Sequence, residues 1–125
     1  MKTTLAKVVD GARIISRLNR VTMRSTTTAR KIFSLKKLLE PGFEFYAEEE
    51  KKLIDKLGGA ISEDGTILFA DEDGYKKLAE GRKELFDTEW DVPIDKPIIF
   101  HDSEVVPVSG EDIEKLEGLA DFKEG

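Results

Sequence analysis

The feature that most constrains this chain is a run of apolar positions spaced for one face of a helix. From Ala29, alternating steps of three and four residues fall on Ala29, Ile32, Lys36, Leu39, Phe43, Tyr46, Glu50, Leu53 and Leu57, the period of an α-helical stripe. Seven of these nine side chains are suited to burial. Pro41-Gly42 interrupts the run, and an interior proline costs a helix about 3 kcal/mol through the lost hydrogen bond and the ring clash. The apolar phase nevertheless resumes beyond it without a slip. The spacing therefore predicts one helical arm over residues 25–57, kinked or briefly interrupted at Pro41-Gly42. Ser25, Thr26, Thr27 and Thr28 supply hydroxyls to cap its start, and Gly58-Gly59 supplies a left-handed residue to end it.

Residues 1–24 form a basic segment in which Leu5, Val8, Ala12, Ile15 and Leu18 recur at helical intervals, with Arg13, Arg17 and Arg20 on a neighbouring face. Gly11 weakens that helix locally, and the alternating Lys2-Thr3-Thr4 is suited to a short strand. After the arm, residues 60–69 read as a β-hairpin, because Asp64-Gly65 lies between two short apolar runs and both central turn residues can take positive φ. Asp71 or Asp73 then caps a helix over residues 72–87, with Tyr75, Leu78, Leu85, Ala79 and Phe86 as its buried stripe. This helix is the expected antiparallel partner of the arm. Residues 89–108 contain Pro93, Pro97 and Pro107 and read as edge strands and loops, with Ile98-Ile99-Phe100 the best strand. Ser109 and Asp112 mark the start of a C-terminal helix over residues 110–121, with Ile113, Leu116, Leu119 and Ala120 on one face. Residues 122–125 are expected to fray. The expected fold is a single α+β domain over residues 1–125: mainly helical, an antiparallel helix pair with a small β-hairpin or sheet and a short C-terminal helix.

Composition narrows the chemistry. The 125 residues include no cysteine and one histidine, His101, so neither a disulfide framework nor a zinc site is expected. Apolar runs are too short to span a membrane, and no export signal is legible at the start of the sequence, so a cytosolic protein is expected. The net charge of -6 is uneven: residues 1–40 carry ten Lys and Arg against two acids, and residues 41–125 carry ten against twenty-four. Such polarity suits a basic arm for nucleic acid, an acidic surface that imitates it, or complementary faces that pair within or between copies.

With Gly74 at the sixth position of a calcium loop, Asp71, Asp73 and Glu80 fall on ligand positions, but Phe69 occupies the first and offers no side-chain oxygen. Helix capping is the expected role of Asp71 and Asp73. Glu48 and Lys52 make an ordinary i,i+4 pair. His101, Asp102 and Ser103 are consecutive, and successive strand residues point to opposite faces, so they are not expected to form a triad. Neither a phosphate-binding glycine loop nor a cofactor site is legible, and no enzyme activity is expected. Arg13, Arg17, Arg20, Arg24, Arg30 and Lys31, together with Lys36 and Lys37, offer phosphate contacts but have no interleaved aromatic until Phe33, so nucleic acid is the less favoured partner. Trp90 suits either the core of a small sheet or an interface anchor.

Ala29-Arg30-Lys31-Ile32, Tyr46-Ala47-Glu48-Glu49-Glu50-Lys51-Lys52-Leu53 and Glu63-Asp64-Gly65-Thr66-Ile67 follow one another in a distinctive order. Glu84-Leu85, Thr88-Glu89-Trp90-Asp91-Val92, Ile98-Ile99-Phe100 and Ile113-Glu114-Lys115-Leu116-Glu117-Gly118-Leu119 complete it. In this order the chain resembles a family of small tailed-phage and prophage proteins of unknown function, from which Pro41-Gly42 departs by interrupting the long helix. The resemblance implies a phage setting, the host cytoplasm or the virion, and carries over no catalytic residue. The resulting expectation is a non-enzymatic phage accessory protein, a minor virion component or assembly factor, whose partners are phage structural proteins or further copies of itself. Arg13, Arg17, Arg20, Arg24, Glu44, Glu48 and Trp90 are the candidate partner-binding residues. The alternatives are an acidic inhibitor that mimics nucleic acid, with Glu44, Glu48, Glu49, Asp71, Asp73, Glu111 and Asp112 on its surface, and nucleic-acid binding through the basic segment.

Overall fold

A computed structural model describes residues 1–124. Its fold is mainly helical α+β, with ten regular elements in the order β1 (Lys2–Thr4), α1 (Leu5–Leu18), α2 (Thr26–Lys56), β2 (Ala60–Ile61), β3 (Ile67–Leu68), α3 (Glu72–Phe86), β4 (Glu89–Asp91), β5 (Ile98–His101), α4 (Gly110–Lys115) and β6 (Ala120–Lys123), and a 3₁₀ turn at Asp102–Glu104. The strands form three two-stranded sheets: β1 with β4 antiparallel, β2 with β3 antiparallel, and β5 with β6 parallel.

Helix α2 is the spine, about 46 Å long at 1.5 Å per residue. Ser25 caps its start by accepting the Thr27 N–H at 3.2 Å. It ends in a Schellman turn: Gly58 takes φ 76°, its N–H donates to the Asp55 carbonyl, and the Gly59 N–H donates to the Ile54 carbonyl at 2.9 Å. The helix runs through Pro41 without interruption, so of the two expected outcomes, a kink or a brief interruption, the interruption is absent. Pro41 is exposed, which lets water take the carbonyl that its missing N–H leaves without a partner.

The arm has two packing partners rather than one. Its first half lies against α1, where Leu5, Val8, Ile15 and Leu18 meet Ile32, Leu35 and Leu39, with Phe100, Leu116 and Leu119 closing the same core. Its second half carries α3 antiparallel to it, as expected: Tyr46 stacks on Phe86, Glu50 pairs with Arg82 at 2.9 Å, and Leu53 fills the space over Gly81. Burial and the Glu50 carboxylate at 2.6 Å together push the Tyr46 hydroxyl up to about 12. This distal half is thin, since Leu78 is the buried residue of α3 and Tyr75, expected inside, is 44% exposed. The Tyr75 ring packs edge-on against Phe69 and its hydroxyl accepts the Phe69 N–H. Ala29, the expected first position of the buried stripe, is exposed; the buried face is shifted to Thr28, Ile32, Leu35, Leu39 and Gly42 by the crossing of α1.

The hairpin forms where expected, but only Gly65 is left-handed, at φ 86°. Asp64 remains in an ordinary conformation and uses its carboxylate to accept the Ser62 hydroxyl and the Thr66 N–H, contacts that hold it down to about 2. Asp71 caps α3, accepting the Gly74 N–H at 3.3 Å, and Ser109 with Asp112 forms the expected capping box of α4. That helix stops at Lys115 rather than continuing to residue 121. Gly118 takes φ 86°, the chain reverses, and Ala120–Lys123 pairs with β5. Phe122, expected to fray, instead stacks on Phe100 with centroids 5.4 Å apart; Gly125, also expected to fray, lies outside the described residues. Ile113, expected on the buried face of α4, is exposed, whereas Leu116, Leu119 and Ala120 are inside.

The junction of α1, α2 and β4 is tight at Gly42, where a Cβ would stand 2.6 Å from the Val8 side chain and 2.9 Å from Trp90 Nε1. Gly42→Ala is expected to destabilise the fold by about 1–3 kcal/mol, because overpacking exceeds the ~1 kcal/mol by which alanine favours a helix. A fall in the urea midpoint at unchanged slope is the expected reading.

Candidate functional site

Two surfaces gather the candidate residues. The first lies along the seam between α1 and α2. Successive turns of α1 place Arg13 and Arg17, and the turn that follows the helix places Arg20, beside a depression of about 520 Å³, completed by Ser16 and Phe43. A second depression, of about 300 Å³, shares Ser16 and Phe43 and is bordered by Ala12, Lys36, Glu40 and Glu44. The face thus carries a ridge of guanidinium groups on α1 and the turn after it and, across a partly apolar seam, a ridge with two carboxylates on α2. Among the described residues Arg13, Arg20 and Glu44 are in no ion pair, while Glu40 reaches Lys37 on its own helix at 3.5 Å. Arg17 is committed elsewhere, donating to Asp112 at 2.6 Å.

The structure brings together Arg13, Arg17, Arg20 and Glu44, four of the seven partner-binding candidates. Arg24 is exposed in the loop after α1, away from the seam lining. Glu48 lies one turn beyond Glu44 and pairs with Lys52 at 3.7 Å. Trp90 is half-buried on β4, seated over Gly42 and 5.1 Å from the Phe45 ring, so it serves the core more than an interface.

The second surface is a hollow of about 220 Å³ at the β5–β6 end, lined by Phe100, His101, Asp102, Val105, Val106, Val108, Ile113 and Phe122. Val105 and Ile113 stand on it 54% and 42% exposed. Val105 has φ 52° and ψ 60°, a left-handed conformation that its β-branched side chain disfavours. The sequence signals this region only as the alternating Val105-Val106-Pro107-Val108, which does not tell an inward valine from an outward one. His101 is exposed at the end of β5, where its N–H donates to Glu104. Among the described residues no group of three or more His, Asp and Glu side chains is placed to hold a metal ion, and no helix is long and apolar enough to cross a membrane.

The basic first third and the acidic last third of the sequence pair within one molecule. Lys31 Nζ meets Glu104 at 2.7 Å and the Ile99 carbonyl at 2.8 Å, and lies over the Phe100 ring. Burial pushes the Glu104 carboxyl up, but the hydrogen bonds from Lys31 and the His101 N–H and the charge of Lys31 outweigh it and hold the group below its usual range. Asp112 is held low by the Arg17 guanidinium and by the Ser109 N–H, against a smaller opposing effect of burial. Both side chains are only about one-eighth exposed, 13% and 12%.

Carboxylates with folded pKa values below their unfolded ones stabilise the fold above the unfolded pKa, and that contribution is lost as pH falls through the folded value. The urea midpoint is therefore expected to drop below about pH 4, the ordinary carboxylate range, and Glu104→Gln with Asp112→Asn should flatten that slope while lowering stability at neutral pH. Val105→Gly should raise stability by about 0.5–1 kcal/mol, the ~1–2 kcal/mol cost of a left-handed residue less what glycine returns to the unfolded chain.

Comparison of the chain with family models, with curated proteins and with solved structures gives no match.

Proposed function

We propose that this chain is a non-enzymatic phage or prophage accessory protein that acts through protein–protein contacts, as a minor virion component or assembly factor. The observation that carries this reading is the hollow at the β5–β6 end, where Val105 and Ile113 are held in water above Val106, Val108 and Phe122. Removing such apolar side chains from water against a partner contributes about 25 cal/mol per Å². The conformation of Val105 adds to the argument. A left-handed valine is costly, and strained residues gather where a surface is used for binding. The phage setting comes from the resemblance in residue order and rests on it.

An acidic surface that imitates nucleic acid finds less support. Glu48, Glu49, Asp73, Glu111 and Asp112 each lie within salt-bridge distance of a lysine or arginine of their own chain, and Asp71 is used as a helix cap.

Mass spectrometry of purified particles should find the protein if it is a virion component, and deletion of its gene should leave incomplete particles if it is an assembly factor. Complementation by Val105→Asp with Ile113→Asp should fail although the variant folds, since both side chains are exposed. Normal particle yield from the deletion, with the protein absent from particles, would overturn the reading, and so would full complementation by the double variant.

A further inference from the structure

We propose that the α1–α2 seam is a second and separate interaction surface, occupied by another copy of this chain in a two-fold dimer. The argument is charge complementarity across one face. Arg13 and Arg20 stand on one flank without ion-pair partners among the described residues, and Glu40 and Glu44 stand on the other. Ser16 and Phe43 lie between them and line both depressions. A two-fold axis through that middle carries each flank onto the opposite flank of the partner, so the arginines of each copy meet the carboxylates of the other, twice. Within one molecule the seam keeps the two flanks apart.

A pair of acidic chains, each of net charge -6, associates only if local attraction exceeds the overall repulsion. Four guanidinium–carboxylate encounters can supply it, and bidentate geometry favours arginine over lysine for the purpose. Lys36, which also borders the acidic flank, and Lys37, 3.5 Å from Glu40, weaken the pattern by two charges, and Glu40 must exchange Lys37 for the partner's arginine while Glu44 is free to pair directly. The half-buried Phe43 supplies an apolar centre. An interface of this composition is governed by exposed charge and is sensitive to salt.

This dimer uses a different face from the β5–β6 hollow, so either proposal can fail without the other. Sedimentation of the full chain in about 0.05 M salt should give a dimer that dissociates near about 0.5 M, as screening shortens from its ~10 Å range at 0.1 M. Arg13→Glu with Arg20→Glu, and separately Glu40→Arg with Glu44→Arg, should each be monomeric at low salt with unchanged far-ultraviolet circular dichroism. Mixing the two variants should restore a two-chain particle, because each then presents to the other the charge it has lost. Ser16→Cys, the sole thiol in a chain without cysteine, should form a covalent dimer under mild oxidation, whereas Glu63→Cys at the hairpin turn should not. If a charge reversal unfolds the chain, the two cysteine variants decide alone. A wild-type monomer at low salt, a mixture that stays monomeric, or a particle that keeps growing with concentration overturns the proposal. Retention of labelled single-stranded DNA by a monomer, lost on reversing Arg13 and Arg20, also overturns it and assigns the same cations to nucleic acid.

Discussion

The approach of α1 onto the first half of α2 is the contact on which the remaining structure depends. It is made possible by two glycines: Gly42 faces Val8 and Trp90, and Gly11 faces Leu39 and Leu119. With no Cβ at either position the helices approach closely, and the aliphatic side chains around them are withdrawn completely from water. Full burial of each such side chain contributes about 1.5–3 kcal/mol, so the loss of this junction would remove much of what holds a domain of this size together. The β1–β4 ladder places Trp90 over Gly42, and the C-terminal segment places Leu116 and Leu119 under Gly11. Distant parts of the chain are thereby fastened to one crossing.

The same crossing organises the surface. Turning α1 against α2 puts the Arg13–Arg17–Arg20 ridge on one side of a seam and Glu40 with Glu44 on the other. It also brings the acidic last third of the sequence onto the basic first third, through Arg17 with Asp112 and Lys31 with Glu104. The hydrogen bonds and opposite charge of these pairs hold their carboxylates ionised against the opposing effect of burial, and the pairs tie α4 and the 3₁₀ turn to the helical core. The far half of the arm lacks this support: α3 buries Leu78, and the hairpin leaves Ile61 and Leu68 exposed. On general grounds such a region opens at lower cost than the core does.

Local chemistry made several elements legible. Ser25, Asp71 and the Ser109–Asp112 box cap their helices because their side-chain oxygens reach backbone N–H groups at the right spacing. Gly58 and Gly65 mark positions where the chain takes positive φ. Non-local pairing was not legible. The parallel β5–β6 ladder joins residues about twenty apart through no hairpin, and residues 116–121 had continued the period of α4 until Gly118 reversed the chain. Tyr75 and Ile113 obeyed their helical stripes yet face water, because no neighbouring element covers them. Of the candidate site, the arginine ridge was readable from three-four spacing. The opposing role of Glu40 and Glu44, the seam at Ser16 and Phe43, and the left-handed Val105 depend on which helix lies beside which.

The sequence by itself determined that the chain is mainly helical, where its helices begin, and that its charge is divided between a basic start and an acidic remainder, because propensity, capping and periodicity act over only a few residues. Tertiary structure alone decided that α1 shares the arm with α3, that opposite charges meet inside one molecule, and which arginines stay unpaired. Those outcomes depend on distances between residues far apart in the chain, and such distances are set by close packing at Gly11 and Gly42 and not by local pattern.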